Sequence, residues 1–295
     1  MDGIINIYKE KGYTSFDVVA KLRGILKQKK IGHTGTLDPE AQGVLPVCLG
    51  KATRVCDLLT DKEKEYESVL LLGRTTDTQD TTGQTLREAT VTCSEDEVRA
   101  VIESFVGAYD QIPPMYSALK VNGQKLCDLA RAGIEVERKP RKITIHEIEI
   151  LSIELPRIQL RVRCSKGTYI RTLCHDVGEK LSCGGCMEEL LRTRVGHFAV
   201  EQAHRLDEIE QAVSEGLIDD YISPVDSVFD HYPAVTVKQQ FDKLLYNGNP
   251  LPATACREWK KEWETTKLRL YDDRKRFVGI YEWNGQRLKP VKLFL

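Results

Sequence analysis

A chain of 295 residues with 41% hydrophobic and 29% charged residues is typical of a folded globular protein with one large domain or two. Its apolar runs are all shorter than the ~18 residues that span a bilayer, and it begins without the basic lead of a signal peptide. We therefore expect a cytoplasmic protein with no membrane attachment. The net charge of −1 excludes a uniformly basic polyanion binder.

Charge is unevenly distributed along the chain. Residues 57–110 and 201–230 each carry a net charge of −8, whereas residues 120–142 carry +4 and residues 257–292 carry +5. A nearly neutral protein can present such basic segments to the phosphates of a nucleic acid. The alternative for each basic segment is a solvated surface without a ligand.

The first 50 residues predict a strand, a helix and a long irregular segment. The strand covers Gly3–Tyr8, and the helix follows Thr14 or Ser15 as N-cap, with apolar residues at helical spacing at Val18, Val19, Leu22 and Ile25. Lys29–Gly50 contains four glycines and two prolines and has almost no periodicity, so we predict an irregular segment. Long irregular segments in compact domains are usually functional.

Strands and helices interleave over the next 130 residues. The predicted strands are Tyr66–Gly73, Lys142–Glu154 and Arg157–Cys164, and the predicted helices are Ser94–Phe105, capped by Ser94, and Thr168–Leu181. The spacing is not that of regular βαβ units. It favours an α+β fold with a mixed, mainly antiparallel sheet and flanking helices.

The composition changes near residue 230. All three tryptophans lie beyond this point, and short strands recur around a turn at Asp272-Asp273. We predict a first domain over residues 1–232 that carries the chemistry, and a small all-β domain over residues 233–295.

The nine cysteines include one CxxC pair, Cys183 and Cys186. This spacing could provide half of a zinc site, completed by His175 or His197, or a redox pair. Because no second pair exists and no secretion signal is present, we favour reduced cysteines in a compact glycine-rich turn. The expectation is that the protein holds no metal.

Asp38 is the candidate catalytic residue within the glycine-rich segment. The following proline restricts its backbone to an extended conformation, and a carboxylate on a loop of fixed shape suits a nucleophile or a general base. The alternative is that Asp38 only begins a turn. A phosphate-binding loop is excluded because no Gly-Lys-Ser/Thr follows at the required spacing.

The string GHTGTLDPEAQGVLPVCLGKATR, residues 32–54, resembles the signature of the TruB family of tRNA pseudouridine synthases. Four further blocks resemble that family in the same order, namely Lys9–Ser15, Lys64–Thr78, Pro113–Lys120 and Cys164–Leu173. Glu10 stands where the family usually has proline. Together the blocks extend over most of residues 3–200.

The resemblance implies that the chain converts uridine to pseudouridine at position 55 in the T-loop of tRNA. The reaction breaks the bond between ribose C1′ and uracil N1 and rejoins the base through C5, so no metal or nucleotide cofactor is needed. Asp38 would be the essential carboxylate, and Arg171 would pair with it. Asp38 could add to C1′, add to C6 or assist elimination to a glycal, and the sequence does not choose among these.

The resemblance also assigns residues to the uridine pocket. Tyr66 would stack on the extruded uracil, and Leu190 would line the pocket unless it only packs within a helix. Lys9 and Tyr169 would support the loop or the pocket. His33 would fill part of the space that the flipped base vacates.

The resemblance further implies that tRNA is the partner and that the protein acts as a monomer without an obligate protein partner. Backbone contacts to the T-arm are expected from Arg131, Arg138, Lys139, Arg141 and Lys142. The C-terminal domain resembles the PUA type and would grip the acceptor side. Two alternatives stay open: action on another RNA with partner proteins, disfavoured by the absence of a basic extension, and a non-catalytic RNA chaperone.

Overall fold

The computed structural model describes all 295 residues and consists of seven α-helices and seventeen strands joined by short 3-10 turns. The helices are α1 Ser15–Ile25, α2 Cys56–Thr60, α3 Glu95–Glu103, α4 Leu126–Arg131, α5 Ile170–Lys180, α6 Leu206–Glu215 and α7 Asp242–Tyr246. The strands are β1 Gly3–Lys9, β2 Ile31–His33, β3 Gln42–Leu49, β4 Lys64–Leu72, β5 Arg74–Thr76, β6 Thr85–Glu88, β7 Gly107–Gln111, β8 Lys120–Val121, β9 Gln124–Lys125, β10 Arg141–Glu154, β11 Arg157–Cys164, β12 Gly185–Val195, β13 Phe198–Ala199, β14 Ala234–Thr236, β15 Lys267–Tyr271, β16 Phe277–Trp283 and β17 Leu288–Leu293.

A nine-stranded sheet forms the larger part of the protein. Its central path runs β1-β3-β12-β4-β11-β10-β7, with β2 paired to β3 and β13 paired to β12. All of these pairs are antiparallel except β3 with β12, which is parallel. The predicted mixed, mainly antiparallel sheet with flanking helices is therefore confirmed. Thr14 and Ser94 cap α1 and α3 as predicted.

The prediction that Lys29–Gly50 is irregular throughout is wrong. The segment contains β2 and β3, and only residues 34–41 between them are irregular. β3 is buried on both faces from Gly43 onward, so it lacks the alternation that indicates a strand. Pro46 is tolerated because it lies between the residues of β3 that pair with β12 and those that pair with β2.

A second sheet of four strands, in the order β14-β15-β16-β17, follows the larger sheet. Only β14 and β15 pair in parallel, and the turn that ends β15 begins at Asp272 as predicted. The C-terminal part has its own apolar cluster around Trp263 and Tyr281. It also contributes Ile280 and Phe294 to a cluster that contains residues of β1 and β3. The two parts therefore share a core, and the boundary at residue 232 stays a prediction.

Truncating Phe294 to alanine should destabilise the whole protein because its ring packs in this shared core. The side chain is 5% exposed and lies 5.8 Å from the ring of Phe229, centroid to centroid. Removing a buried phenyl group costs about 3–5 kcal/mol. Urea denaturation followed by far-UV circular dichroism, which reports both sheets, should show the loss. An unchanged midpoint would mean that the C-terminal part does not contribute to the stability of the first sheet.

No helix of the protein is both long and apolar enough to cross a membrane.

Candidate active site

The loop of residues 34–41, which we call the Asp38 loop, joins β2 to β3 and is fixed from two sides. Leu37 N donates a hydrogen bond to Ser15 Oγ at 2.9 Å, which ties the loop to the start of α1. Lys9 Nζ donates to Pro39 O at 3.1 Å, which ties the loop to β1. Because both neighbours of Asp38 in the loop are held, its carboxylate has little freedom.

Gly43 allows β3 to approach β12 closely. Its φ of +101° lies in the region that favours glycine, and a Cβ atom there would lie 2.3 Å from the carbonyl oxygen of Arg192. This approach permits the one parallel pairing of the main sheet, in which Leu191 pairs with Gln42 and Arg192 with Gly43. The Asp38 loop consequently lies beside the part of β12 that carries Leu190 and Arg192.

Asp38 and Arg171 form a two-pronged ion pair. Arg171 Nε lies 2.9 Å from Asp38 Oδ2, and Arg171 Nη2 donates to Asp38 Oδ1 at 3.1 Å. Arg171 stands in the first turn of α5, and its side chain is 4% exposed, whereas that of Asp38 is 39% exposed. Both carboxylate oxygens therefore contact Arg171, which fixes the orientation of the carboxylate, while part of the carboxylate stays exposed. The structure thus brings together the two residues that the resemblance paired.

Arg171 is held by further contacts that the sequence did not indicate. Its Nη1 donates to Thr78 O at 2.9 Å, and its Nη2 donates to Tyr116 O at 2.8 Å. Asp80 Oδ2 lies 3.9 Å from Nη1, and its side chain is 14% exposed. Asp80 therefore provides a second, more distant counter-charge. It lies in a polar turn without periodicity, so no sequence pattern pointed to it.

Burial raises the pKa of Asp38, and the charge of Arg171 opposes that rise. Asp80 raises the pKa further by repulsion between the two carboxylates, while Lys9 lowers it. Although the carboxylate opens to a cavity, the surrounding protein removes much of its hydration. The ionised form is the one that accepts both hydrogen bonds from Arg171, so the ion pair works against this rise.

Asp38 opens into a cavity of about 540 Å³, a size typical of small-ligand sites. Five of the seven residues predicted for the site line this cavity, namely Asp38, Tyr66, Tyr169, Arg171 and Leu190. Further lining residues include Lys64, Ser117 and Arg192, none of which the sequence analysis selected. His33 and Lys9 lie outside the lining.

Tyr66 and Leu190 stand on neighbouring strands on the same side of the cavity. Tyr66 is 8% exposed, and burial raises the pKa of its phenol to about 12, so the side chain is neutral at pH 7. Leu190 lies on β12, so the alternative that it packs within a helix is wrong. Pairing between β12 and β4 overrides the helix preference of the string Glu188–Arg192.

Lys9 and Tyr169 are held by hydrogen bonds that involve the backbone. Lys9 is buried, and its ammonium also donates to Glu10 O at 3.1 Å and to Tyr13 O at 2.6 Å. Burial lowers the pKa of Lys9 to about 8, and Asp38 opposes the shift. Tyr169 precedes α5, where its backbone N donates to Gln111 Oε1 at 2.8 Å.

His33 ends β2 at the entrance to the Asp38 loop. Gly35 N lies 3.4 Å from its Nδ1. Burial lowers the pKa of His33, and the charge of Arg192 lowers it further, so the imidazole is neutral at pH 7. An uncharged ring at this place can stack or pack without a counter-ion.

Cys183 and Cys186 are both buried as free thiols. The structure contains no group of three or more His, Cys, Asp or Glu side chains arranged to hold a metal ion. Cys183 Sγ lies 3.5 Å from Gly184 O.

Basic side chains surround the mouth of the cavity. Arg141, Lys142 and Lys166 line it, and Lys166 Nζ lies 2.8 Å from Asp61 Oδ1. Arg138 instead donates to Pro113 O at 3.1 Å, and Arg131 lies 3.7 Å from Asp128. Of the five basic residues predicted to contact RNA, only Arg141 and Lys142 therefore line the mouth.

Family models match this chain over most of its length. Residues 23–170 match the N-terminal domain of the TruB family of pseudouridylate synthases, and residues 171–230 match a tRNA pseudouridylate synthase B C-terminal domain. The chain is 56% identical over 308 residues to tRNA pseudouridine synthase B of Lachnoclostridium phytofermentans, with 100% of each chain covered. It is 48% identical over 298 residues to the enzyme of that name from Clostridium perfringens, covering 100% of this chain and 99% of the relative.

Solved structures show the same fold. A Cbf5 chain in a Cbf5-Nop10-Gar1 complex superposes with a TM-score of 0.74 at 29% identity, covering 99% of this chain and 85% of that chain. A chain of an H/ACA RNP bound to a substrate RNA containing 2′-deoxyuridine gives a TM-score of 0.72 at 26% identity, with the same coverage.

Proposed function

Since this chain belongs to the TruB family and is a tRNA pseudouridine synthase, we propose that it isomerises the uridine at position 55 in the T-loop, with Asp38 as the catalytic carboxylate. The observation that carries this proposal is the two-pronged contact between Asp38 and Arg171 on the wall of the cavity. No other carboxylate lines that cavity.

The surroundings of Asp38 support the role proposed for it. Its carboxylate is oriented by Arg171 and opens to the cavity, where an anionic oxygen can reach C1′ or C6 of a bound uridine or assist loss of the C2′ proton. The cavity has apolar and aromatic walls at Leu190 and Tyr66 on which a uracil ring can stack. Arg171 and Lys9 both add positive charge near the carboxylate.

The uridine must leave its folded loop before it can enter this cavity. Flipping a nucleotide costs a few kcal/mol of stacking and pairing. Contacts with the T-arm phosphates offset that cost, and Arg141 and Lys142 stand at the cavity mouth in position to make them. We propose that His33 occupies the space from which the base departs.

Tritium release tests the reaction and its position together. An unmodified tRNA transcript carrying 5-tritiated uridine should release one tritium per tRNA when incubated with the protein. A transcript with cytidine at position 55 should release no tritium, because the protein does not act on the other uridines. Release from both transcripts at equal rates would place the reaction at another uridine.

Replacing His33 by alanine should weaken flipping more than chemistry. We expect about a tenfold loss in turnover on full-length tRNA, which corresponds to ~1.4 kcal/mol of the stacking energy that the ring replaces. A transcript in which position 55 is already unpaired should recover most of that loss. Stopped-flow fluorescence of 2-aminopurine beside position 55 would report the flipping step, and equal losses on both transcripts would contradict the role.

A further inference from the structure

Arg192 is a fully buried cation without a counter-ion. It lies on β12, is 1% exposed, and is the largest side chain of the protein that is fully buried. Its Nε donates to Val44 O at 2.7 Å, and its Nη2 donates to Gly35 O at 3.3 Å. No carboxylate oxygen lies within 4.0 Å of its guanidinium, in contrast to Arg171.

A buried guanidinium without a counter-ion destabilises the folded protein unless another interaction offsets the cost of removing it from water. Removing a charge from water costs several kcal/mol, and buried charges are normally paired. A guanidinium has five N–H donors, and the protein's backbone accepts two hydrogen bonds here. The two buried lysines near the site leave fewer donors without a partner. Lys9 has a carbonyl acceptor for each of its three N–H groups, and Lys64 has two, so neither leaves more than one N–H group unbonded.

Arg192 faces the same cavity as Asp38. It is among the residues that line the cavity, and strand pairing places it directly opposite Tyr66 of β4. Tyr66 provides a neutral phenol beside the guanidinium. The positive charge is therefore presented to the place where a uracil ring would stack on Tyr66.

Bond cleavage in the proposed reaction generates a negative charge at that place. When the bond between C1′ and N1 breaks heterolytically, its electron pair goes to N1 and spreads over the ring to O2 and O4. Meanwhile C1′ either forms a bond to an oxygen of Asp38 or, when a base removes the C2′ proton, forms a double bond to C2′. Rejoining forms the bond from C5 to C1′ with an electron pair of the ring. In the same step the bond from C1′ to Asp38 breaks and returns its pair to the carboxylate, or, on the glycal route, C2′ regains its proton. C5 then loses its proton, and N1 gains one.

We propose that Arg192 is an electrostatic catalytic residue that stabilises the uracil anion between cleavage and rejoining. The proposal rests on the proposed function, because it requires a uridine in this cavity. Fixed charge aimed at developing charge in a dry site is an effective form of catalysis, and single donors of this kind contribute about 10²–10³-fold in rate. The unpaired guanidinium thus acquires its counter-ion only during turnover.

The competing explanation is architectural, since Arg192 also binds Gly35 O and Val44 O and could merely position the Asp38 loop. The two roles predict different effects on the cleavage rate when the uracil anion is made more stable. A fluorine at C5 withdraws electrons and stabilises the uracil anion by itself, so it reduces the need for an external cation. A misplaced loop would slow cleavage of both bases equally.

Single-turnover cleavage should be compared for tRNA carrying uridine or 5-fluorouridine at position 55, with loss of the parent nucleoside measured after nuclease digestion. Arg192→Gln removes the charge and keeps a donor for Val44 O. We expect it to slow uridine by about 10²–10³-fold and 5-fluorouridine by at least tenfold less. Lys9→Met removes a buried cation that does not line the cavity, and it should slow both substrates by the same factor.

Equal losses on the two substrates in folded Arg192→Gln would overturn the proposal and leave the architectural role. If that variant does not fold, Arg192→Lys is measured instead, because the shorter lysine side chain places the positive charge farther from the uracil. The ratio of fluorouridine to uridine rates should then rise several-fold, and an unchanged ratio would again contradict the proposal. Failure of the proposed function is distinguishable, because wild-type protein would then leave position 55 uncleaved.

Discussion

Asp38→Asn should bind tRNA but release no measurable tritium, a loss of at least about 10⁴-fold in turnover. Asparagine has nearly the same shape and can still accept a hydrogen bond from Arg171, yet it lacks the negative charge required to attack C1′ or C6 or to accept a proton. The loss is of the size seen when a catalytic side chain of a covalent or acid–base mechanism is removed. Single-turnover tritium release and filter binding, measured in parallel, separate chemistry from affinity.

The control for this substitution is Asp230→Asn. Asp230 also pairs with an arginine, since Arg269 Nη1 lies 2.9 Å from its Oδ1, but its side chain is 73% exposed and is not part of the cavity wall. An exposed pair of this kind contributes ~0–1 kcal/mol, so activity should stay near wild type. Residual activity of Asp38→Asn above about one percent, after exclusion of deamidation to Asp by mass spectrometry, would refute the assignment of Asp38.

Motif identity was sufficient to find the ion pair of Asp38 and Arg171 but not its surroundings. Asp38 and Arg171 are separated by 133 residues, so only the resemblance could link them before the structure was known. Asp80 and Arg192 were not predicted as site residues for a related reason. A polar turn and a strand arginine have no local signature, and their importance depends on which distant groups folding brings beside them.

The errors in secondary structure arose where tertiary contacts override local preference. Glycines and prolines made residues 29–50 seem irregular, although Gly43 and Pro46 both lie in β3. Gly43 is there because β12 passes too close for a side chain. Pro46 pairs with β1 on one side, and on the other side it lies between the residues paired with β12 and those paired with β2. Likewise, Leu190 follows two glutamates that favour a helix, but pairing with β4 makes the segment a strand. Both errors lie beside the Asp38 loop.

The C-terminal part illustrates a limit of composition as a guide to domains. The change near residue 230 correctly indicated a second sheet. It did not indicate that Ile280 and Phe294 would complete an apolar cluster begun by Ile4 and Val44. A deletion beyond residue 232 would expose that cluster. Point substitutions on the surface of the C-terminal part are therefore the better test of its proposed role in RNA binding.

Arg171→Lys should lower turnover by about 10²-fold or more while tRNA affinity stays within a few-fold of wild type. Arg171 joins Asp38 to the carbonyls of Thr78 and Tyr116, and lysine cannot make these contacts at once from a single ammonium. The positive charge is kept, so any loss reports orientation of the carboxylate, and misplacement by about 1 Å can cost 10²-fold. Single-turnover tritium release is the measurement.

Arg161→Lys is the matched control, because Arg161 also bridges two groups, Glu67 at 2.8 Å and Glu149 at 2.6 Å, but does so on the exposed face of the sheet. Its loss should change turnover by less than about twofold, as expected for surface ion pairs. If Arg171→Lys were equally harmless, the fixed orientation of Asp38 would not matter to the reaction, and the charge of Arg171 alone would suffice. The additional contacts of Arg171 with backbone carbonyls argue against that outcome, because a residue needed only for its charge would not require them.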